Sequence, residues 1–166
     1  MIHVYCGDGK GKTTAAMGLA LRALGQGKEV VVLQFLKDGK SGELAPLEGL
    51  GVQVLSGPPD TGFVSQMNEA EKKRCADWCR SSLQQVLAEK CDMLILDELC
   101  AALRHGMVPE SLARRAVVES PADRETVITG RDPADWIRDA ADYITEMRCV
   151  RHPFQKGTAA RRGIEY

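Results

Sequence analysis

An α/β fold is predicted, built on a mostly parallel sheet of about six strands with helices on both faces. Three observations carry that prediction. Six short runs rich in apolar and β-branched residues recur along the 166 residues. Segments with helical spacing separate them. The strand-like runs are continuously apolar rather than alternating, as strands covered on both faces are.

The strand runs fall at residues 2–5, 30–35, 52–55, 93–96, 126–129 and 143–150. Residues 15–24 are apolar nearly all round, which suits a helix buried against a sheet. Asn68 with Glu71 three positions on reads as a capping box, opening a helix to about Lys90. Asp132 and Pro133 read as N-cap and first residue of the helix that carries Trp136 and Ile137. The glycine- and proline-rich stretches 37–51 and 56–62 read as long loops, where binding groups often reside. No internal repeat or low-complexity segment interrupts this alternation, and residues 1–166 read as one domain.

Composition excludes several classes. Lysine and arginine number 22 against 23 acidic residues, so no overall field favours nucleic acid or an anionic membrane. No apolar run approaches the roughly 20 residues of a spanning helix, and no secretory leader is expected, which points to the cytoplasm. The six cysteines are scattered, mostly in apolar runs, as reduced thiols of a cytosolic protein would be. Cys75 and Cys79 would stand one helical turn apart. With no histidine or second cysteine pair near them, they read as reduced core or surface thiols rather than metal ligands.

Between the first strand and the next helix lies "CGDGKGKTTAA", residues 6–16. Gly11-Lys12-Thr13 is the core of a phosphate-binding loop. Backbone N–H groups and a helix N-terminus cradle anionic oxygens, lysine adds a point charge, and a threonine hydroxyl can ligate magnesium. A merely flexible turn needs neither lysine nor threonine there. The predicted fold is therefore P-loop NTPase-like. The full pattern asks for glycine at position 6, where Cys6 stands, and glycines occupy positions 7, 9 and 11 instead.

A second element supports the first. Residues 94–98, Leu-Ile-Leu-Asp-Glu, form an apolar strand ending in two carboxylates. Ligands of parallel α/β sheets gather at the carboxyl ends of strands, so Asp97 and Glu98 are candidates to face the magnesium held by Thr13. Without the phosphate loop, the same acids would equally well open a helix. The tail is locally basic, with Arg148, Arg151, His152, Lys156, Arg161 and Arg162. Such a segment can contact phosphates or a polyanionic ligand, but on charge alone it reads as a solvated cationic tail.

Together "GDGKGKTTAAMGLALRALGQGKEVVVLQFLK", "DMLILDEL", "VITGR" and "AADYITEMRCVRHPFQKGTAARRGIEY" resemble the P-loop ATP:cob(I)alamin, or corrinoid, adenosyltransferases over almost the whole chain. The family's loop also lacks the first glycine, which accounts for Cys6. The resemblance implies transfer of the 5′-deoxyadenosyl group of ATP to the cobalt(I) of a reduced corrinoid, with inorganic triphosphate leaving. ATP is expected in a reversed orientation that turns the ribose 5′ carbon toward the corrinoid. It implies that Gly7, Asp8, Gly9, Lys10, Gly11, Lys12, Thr13 and Thr14 surround the triphosphate of MgATP. Thr13, Asp97 and Glu98 would hold Mg2+, and Lys12 and Glu98 would be catalytic. Phe63 would contact the corrinoid, within a family "GF-x-W" loop that here reads Gly62-Phe63-Val64-Ser65. A homodimer and a separate reductase supplying cobalt(I) are also expected. Two other readings stay open at the level of sequence: a small P-loop kinase or ATPase, and an ATP-dependent corrinoid carrier with little turnover.

Overall fold

The computed structural model describes residues 1–59 and 62–165. Tyr166, the last residue of the tail that carries the resemblance, lies outside the described residues. Six strands form one sheet: β1 (Ile2–Cys6), β2 (Val30–Phe35), β3 (Gln53–Gly57), β4 (Met93–Asp97), β5 (Glu125–Thr129) and β6 (Tyr143–Glu146). Their order is β3-β2-β4-β5-β1-β6, and every neighbouring pair runs parallel. The helices are α1 (Lys12–Leu24), α2 (Leu44–Gly49), α3 (Glu69–Ala88), α4 (Leu99–Arg104), α5 (Glu110–Val117) and α6 (Asp135–Ala140).

Strand parity divides the apolar residues between two layers. Val31, Leu33 and Phe35 of β2 and Leu94 and Leu96 of β4 share one core with Leu83 and Val86 of α3 and Ala113 of α5. Val30 and Val32, with Met93 and Ile95, face the other way onto Ala16 and Ala20 of α1 and Leu47 of α2. A fully buried leucine such as Leu33 or Leu96 contributes about 1.5–3 kcal/mol through its burial. The same parity places the last residue on the α1 face of three strands: Gln34, Asp97 and Thr129. That is how the fold delivers polar groups to the start of α1.

α3 begins at the expected cap. The Asn68 side chain accepts the Glu71 N–H at 3.0 Å and the Glu71 carboxylate accepts the Asn68 N–H at 2.8 Å. Four expectations need correction. The helix expected to begin at Asp132-Pro133 begins at Asp135 instead, because the Asp132 carboxylate is spent on Arg104 at 2.6 Å and the Pro133 carbonyl accepts from Arg138. Residues 37–51 are not all loop: Leu44 and Leu47, three apart, are buried on one side of α2. α1 is not buried all round, since only Ala16, Met17 and Ala20 are buried and Leu21 remains 55% exposed. The last strand stops at Glu146, short of residue 150, because the chain then turns across the phosphate loop.

That turn explains two glycines. The Met147 N–H donates to the Cys6 carbonyl at 2.8 Å, the Gly9 N–H donates to the Met147 carbonyl at 2.7 Å, and the Cys149 N–H donates to Asp8 Oδ1 at 2.9 Å. A Cβ on Gly9 would stand 2.7 Å from the Met147 oxygen and 2.8 Å from its carbonyl carbon, and neither backbone atom can yield. Gly9→Ala is therefore expected to lower the unfolding free energy by about 1–3 kcal/mol through overpacking. Urea unfolding of the variant with a wild-type midpoint would contradict this close approach.

Candidate functional site

The phosphate loop opens where β1 ends. Cys6 is the last strand residue, paired with Glu146 of β6, and its buried side chain joins the core on the α3 side of the sheet. A glycine there would leave that packing empty. The loop proper turns at Gly7 (φ 100°) and again at Gly11 (φ 113°), positive values that glycine adopts without strain. Gly11 immediately precedes α1, whose first residues are Lys12, Thr13 and Thr14. The Lys12 ammonium donates to the Gly9 carbonyl at 2.8 Å, folding back over the loop.

Asp97 is the centre of the site and is fully buried. Its Oδ1 accepts from the Thr13 hydroxyl at 2.9 Å and from the Thr129 hydroxyl at 2.7 Å. Its Oδ2 accepts from Gln34 Nε2 at 3.2 Å and stands 3.7 Å from Lys37 Nζ. Gln34 in turn donates to Glu43 and accepts from the Ser56 hydroxyl. Every side-chain polar atom around Asp97 thus has a partner, which a buried carboxylate requires.

Glu98 would point away from α1 if β4 continued. Instead it takes a left-handed backbone conformation, φ 61°, fixed by its N–H donating to Thr129 Oγ1 at 2.9 Å. Its side chain then lines a cavity of about 860 Å³, together with Lys10, Lys12, Thr13, Thr14 and Lys37. Burial raises the Glu98 carboxyl above its usual range and the Asp97 charge adds to that, while Lys37, Lys12 and Arg131 oppose it. Met17, Leu21, Pro46, Leu47 and Leu50 form an apolar part of the same lining, and Gly163, Ile164 and Glu165 of the tail also line it. Burial, then the nearby Glu98, pushes the Cys100 thiol up to about 12, which disfavours its nucleophilic thiolate form.

The fold brings Lys10, Gly11, Lys12, Thr13, Thr14, Asp97 and Glu98 together. Asp8 and Gly9 are hydrogen-bonded to the chain after β6, and the Gly7 N–H donates to the Arg131 carbonyl after β5 at 3.1 Å. Phe63 is elsewhere, outside the cavity lining and 76% exposed before a short 3-10 turn, Val64–Gln66. Val64 and Met67, not Phe63, anchor that loop against the core. Cys75 and Cys79 are buried in the core cluster.

The sequence signature of the family described as "ATP:corrinoid adenosyltransferase BtuR/CobO/CobP" matches residues 1–166. The chain belongs to that family. It is 36% identical over 172 residues to the corrinoid adenosyltransferase of Escherichia coli strain K12, covering 100% of this chain and 85% of the relative. Identity to the corrinoid adenosyltransferase CobA of Salmonella typhimurium is 37% with the same coverage. For the Pseudomonas aeruginosa enzyme it is 34%, over 100% of this chain and 83% of the relative. The crystal structure of the flagellar accessory protein FlaH from Methanocaldococcus jannaschii superposes with a TM-score of 0.53 at 12% identity, over 87% of this chain and 69% of that one. That likeness concerns the fold alone.

This corrinoid adenosyltransferase holds further groups beside its two strand-end carboxylates. Thr129, Gln34 and Lys37 each touch Asp97, and Arg131 influences Glu98. The first two share strand-end position and parity with Asp97, a signal that becomes usable once the strand order is known.

Proposed function

We propose that the cavity above α1 binds MgATP with its triphosphate on Lys10, Lys12 and the amides of residues 7–14, and that the chain catalyses adenosyl transfer to cobalt(I) from there. The observation that carries this reading is the buried Asp97 fastening the Thr13 hydroxyl at the mouth of the phosphate loop. With its proton donated to Asp97, Thr13 Oγ1 keeps its lone pairs free for a metal. The hard oxygen set of Thr13 and Glu98, with Asp97 acting through Thr13, fits Mg2+ rather than a softer ion. Magnesium bound there would neutralise charge on the leaving triphosphate.

Cobalt(I) is itself the nucleophile, so the protein needs no attacking side chain and no strong base. Its work is to hold cobalt, C5′ and the departing oxygen in line and to supply cations and N–H donors where charge grows. Lys12 and Glu98 both line the cavity in which that charge would grow. The cavity volume suits a nucleoside triphosphate, and the apolar part of its lining offers the base a dry surface. The protein would act in the cytoplasm as a homodimer, with a separate reductase supplying cobalt(I). Among the described residues no helix is long and apolar enough to cross a membrane.

An anaerobic assay with reduced cobalamin and ATP tests the reading. Loss of the cobalt(I) spectrum with stoichiometric inorganic triphosphate is expected. Release of ADP instead would replace it with a phosphoryl-transfer enzyme, and binding without turnover with a carrier.

Phe63 is proposed as the corrinoid contact, on the strength of its exposure. Burying an aromatic ring against the corrin is worth about 1.5–3 kcal/mol, enough to help displace a lower base from cobalt. Ser65, also exposed, stands where the family pattern has tryptophan, so half of that apolar wedge is missing. The expected result is a preference for base-off or incomplete corrinoids. Phe63→Ala should slow both cobalamin and cobinamide and leave ATP affinity intact, and Ser65→Trp should narrow the preference. Equal efficiency on both substrates in all three proteins would remove the wedge.

A further inference from the structure

The cation nearest Asp97 does not belong to the phosphate loop. Lys37 Nζ lies 3.7 Å from Asp97 Oδ2, while the Lys37 side chain is 28% exposed and lines the cavity. It also acts on the Glu98 carboxyl, ahead of Lys12. Lys37 therefore serves two carboxylates and faces the space where the triphosphate is proposed to lie.

Its position is built rather than incidental. β2 ends at Phe35, and Leu36 adopts φ 57°, a left-handed conformation that costs a branched residue roughly 1–2 kcal/mol. Leu36 packs against the core, and the reversed backbone turns the following residue toward the cavity side. The Lys37 N–H then donates to the Gly57 carbonyl at 3.4 Å, holding the turn to the end of β3. β2 and β4 are neighbours with Gln34 opposite Asp97. Each strand is thus followed by a strained non-glycine residue, Leu36 and Glu98, at the same end of the sheet. Strain of this kind persists where the surrounding structure over-determines it, and it clusters at working sites.

We propose that Lys37 is a further triphosphate-binding residue, held on Asp97 until a divalent cation takes over the charge of the carboxylates. A lysine ammonium is a compact point charge on a flexible four-carbon stem, so it can reach from Asp97 to a phosphate oxygen without backbone movement. Without metal it neutralises the buried Asp97. With a cation held at Thr13 and Glu98, the Lys37 ammonium would be repelled from Asp97 and would move onto the triphosphate. This rests on the phosphate-site reading above and adds to it an exchange of partners.

The exchange predicts effects of opposite sign. Removing the ammonium takes a competing charge away from the carboxylates and a ligand away from the phosphates. In nucleotide-free protein, Lys37→Met is expected to bind Mn2+ at least about fivefold tighter by electron paramagnetic resonance, and inorganic tripolyphosphate with Mg2+ at least about fivefold weaker by calorimetry. A structural lysine would not tighten metal binding. Lys37→Arg should retain tripolyphosphate binding, and Lys37→Gln replaces the methionine variant if that one does not fold. Unchanged or weaker Mn2+ binding, or undiminished tripolyphosphate binding, in the uncharged variant overturns the exchange. Lys12→Ala is the separate control. If it binds tripolyphosphate as tightly as wild type, the phosphate-site reading itself fails, and the role of Lys37 with it.

Discussion

Asp97→Asn is expected to cost about 3 kcal/mol or more of unfolding free energy, because it leaves a half-buried lysine without its counter-ion and cannot satisfy its neighbours. With the amide oxygen toward Thr13 and Thr129, the amide nitrogen faces Gln34 Nε2 and Lys37 Nζ, donor against donor. Turning the amide over puts its N–H groups against two hydroxyls, one of which already accepts from the Glu98 N–H. Neither orientation pairs every group. For a domain of this size the loss corresponds to a fall of about 6–12 °C in Tm. Turnover should drop by about a hundredfold or more, since the Thr13 hydroxyl is no longer fastened where charge develops. Calorimetric unfolding within a degree of wild type would show that the network is not what holds these strand ends together.

Glu98→Gln should act in the opposite sense on stability. The carboxyl is raised in the folded protein by burial and by Asp97, above the ordinary 4.5 it regains on unfolding. Below that ordinary value both states hold the proton, and folding is indifferent to pH. As pH rises past it, the unfolded chain releases the proton first, so wild-type stability falls until the raised folded value is passed. The glutamine variant has no such slope. In magnesium-free buffer it should be the more stable protein at neutral pH, with the difference closing as pH falls toward 4.5. With MgATP it should be much the slower enzyme and need more magnesium. Parallel stability curves for the two proteins across that range, or an unaltered magnesium titration, would remove Glu98 from the site.

The parts of this site that could be seen beforehand are those whose chemistry requires a local pattern. Gly11-Lys12-Thr13 sits between an apolar run and a helix, and Asp97-Glu98 closes an apolar run, so each announces itself within a few residues. Gln34 and Thr129 do not. An amide or hydroxyl at the end of a buried strand has many uses, and theirs depends on β5 lying beside β4 and on β2 lying on its other side. The glycines at 7 and 9 were legible as loop residues, but their tightest constraint is Met147, some 140 positions away. Asp132 has the right chemistry for a cap and lost that role to Arg104, a partner the local sequence does not contain. Lys37 stood in a stretch read as loop, and only the reversal at Leu36 turns it toward the carboxylates.

The placement of β1 has a consequence for synthesis of the chain. β1 lies between β5 and β6, with His3 paired to Val127 on one side and to Tyr143 on the other. Both partners emerge from the ribosome more than a hundred residues later. Contacts so distant in sequence form slowly, and until they form β1 exposes two unpaired edges. The loop it carries cannot take its final shape before residue 147 is translated, because Gly9 is held by that residue. Nucleotide affinity should thus arrive abruptly once β6 and residue 147 have emerged, and stalled chains ending before β6 should bind no ATP even where β2, β3 and β4 are already paired.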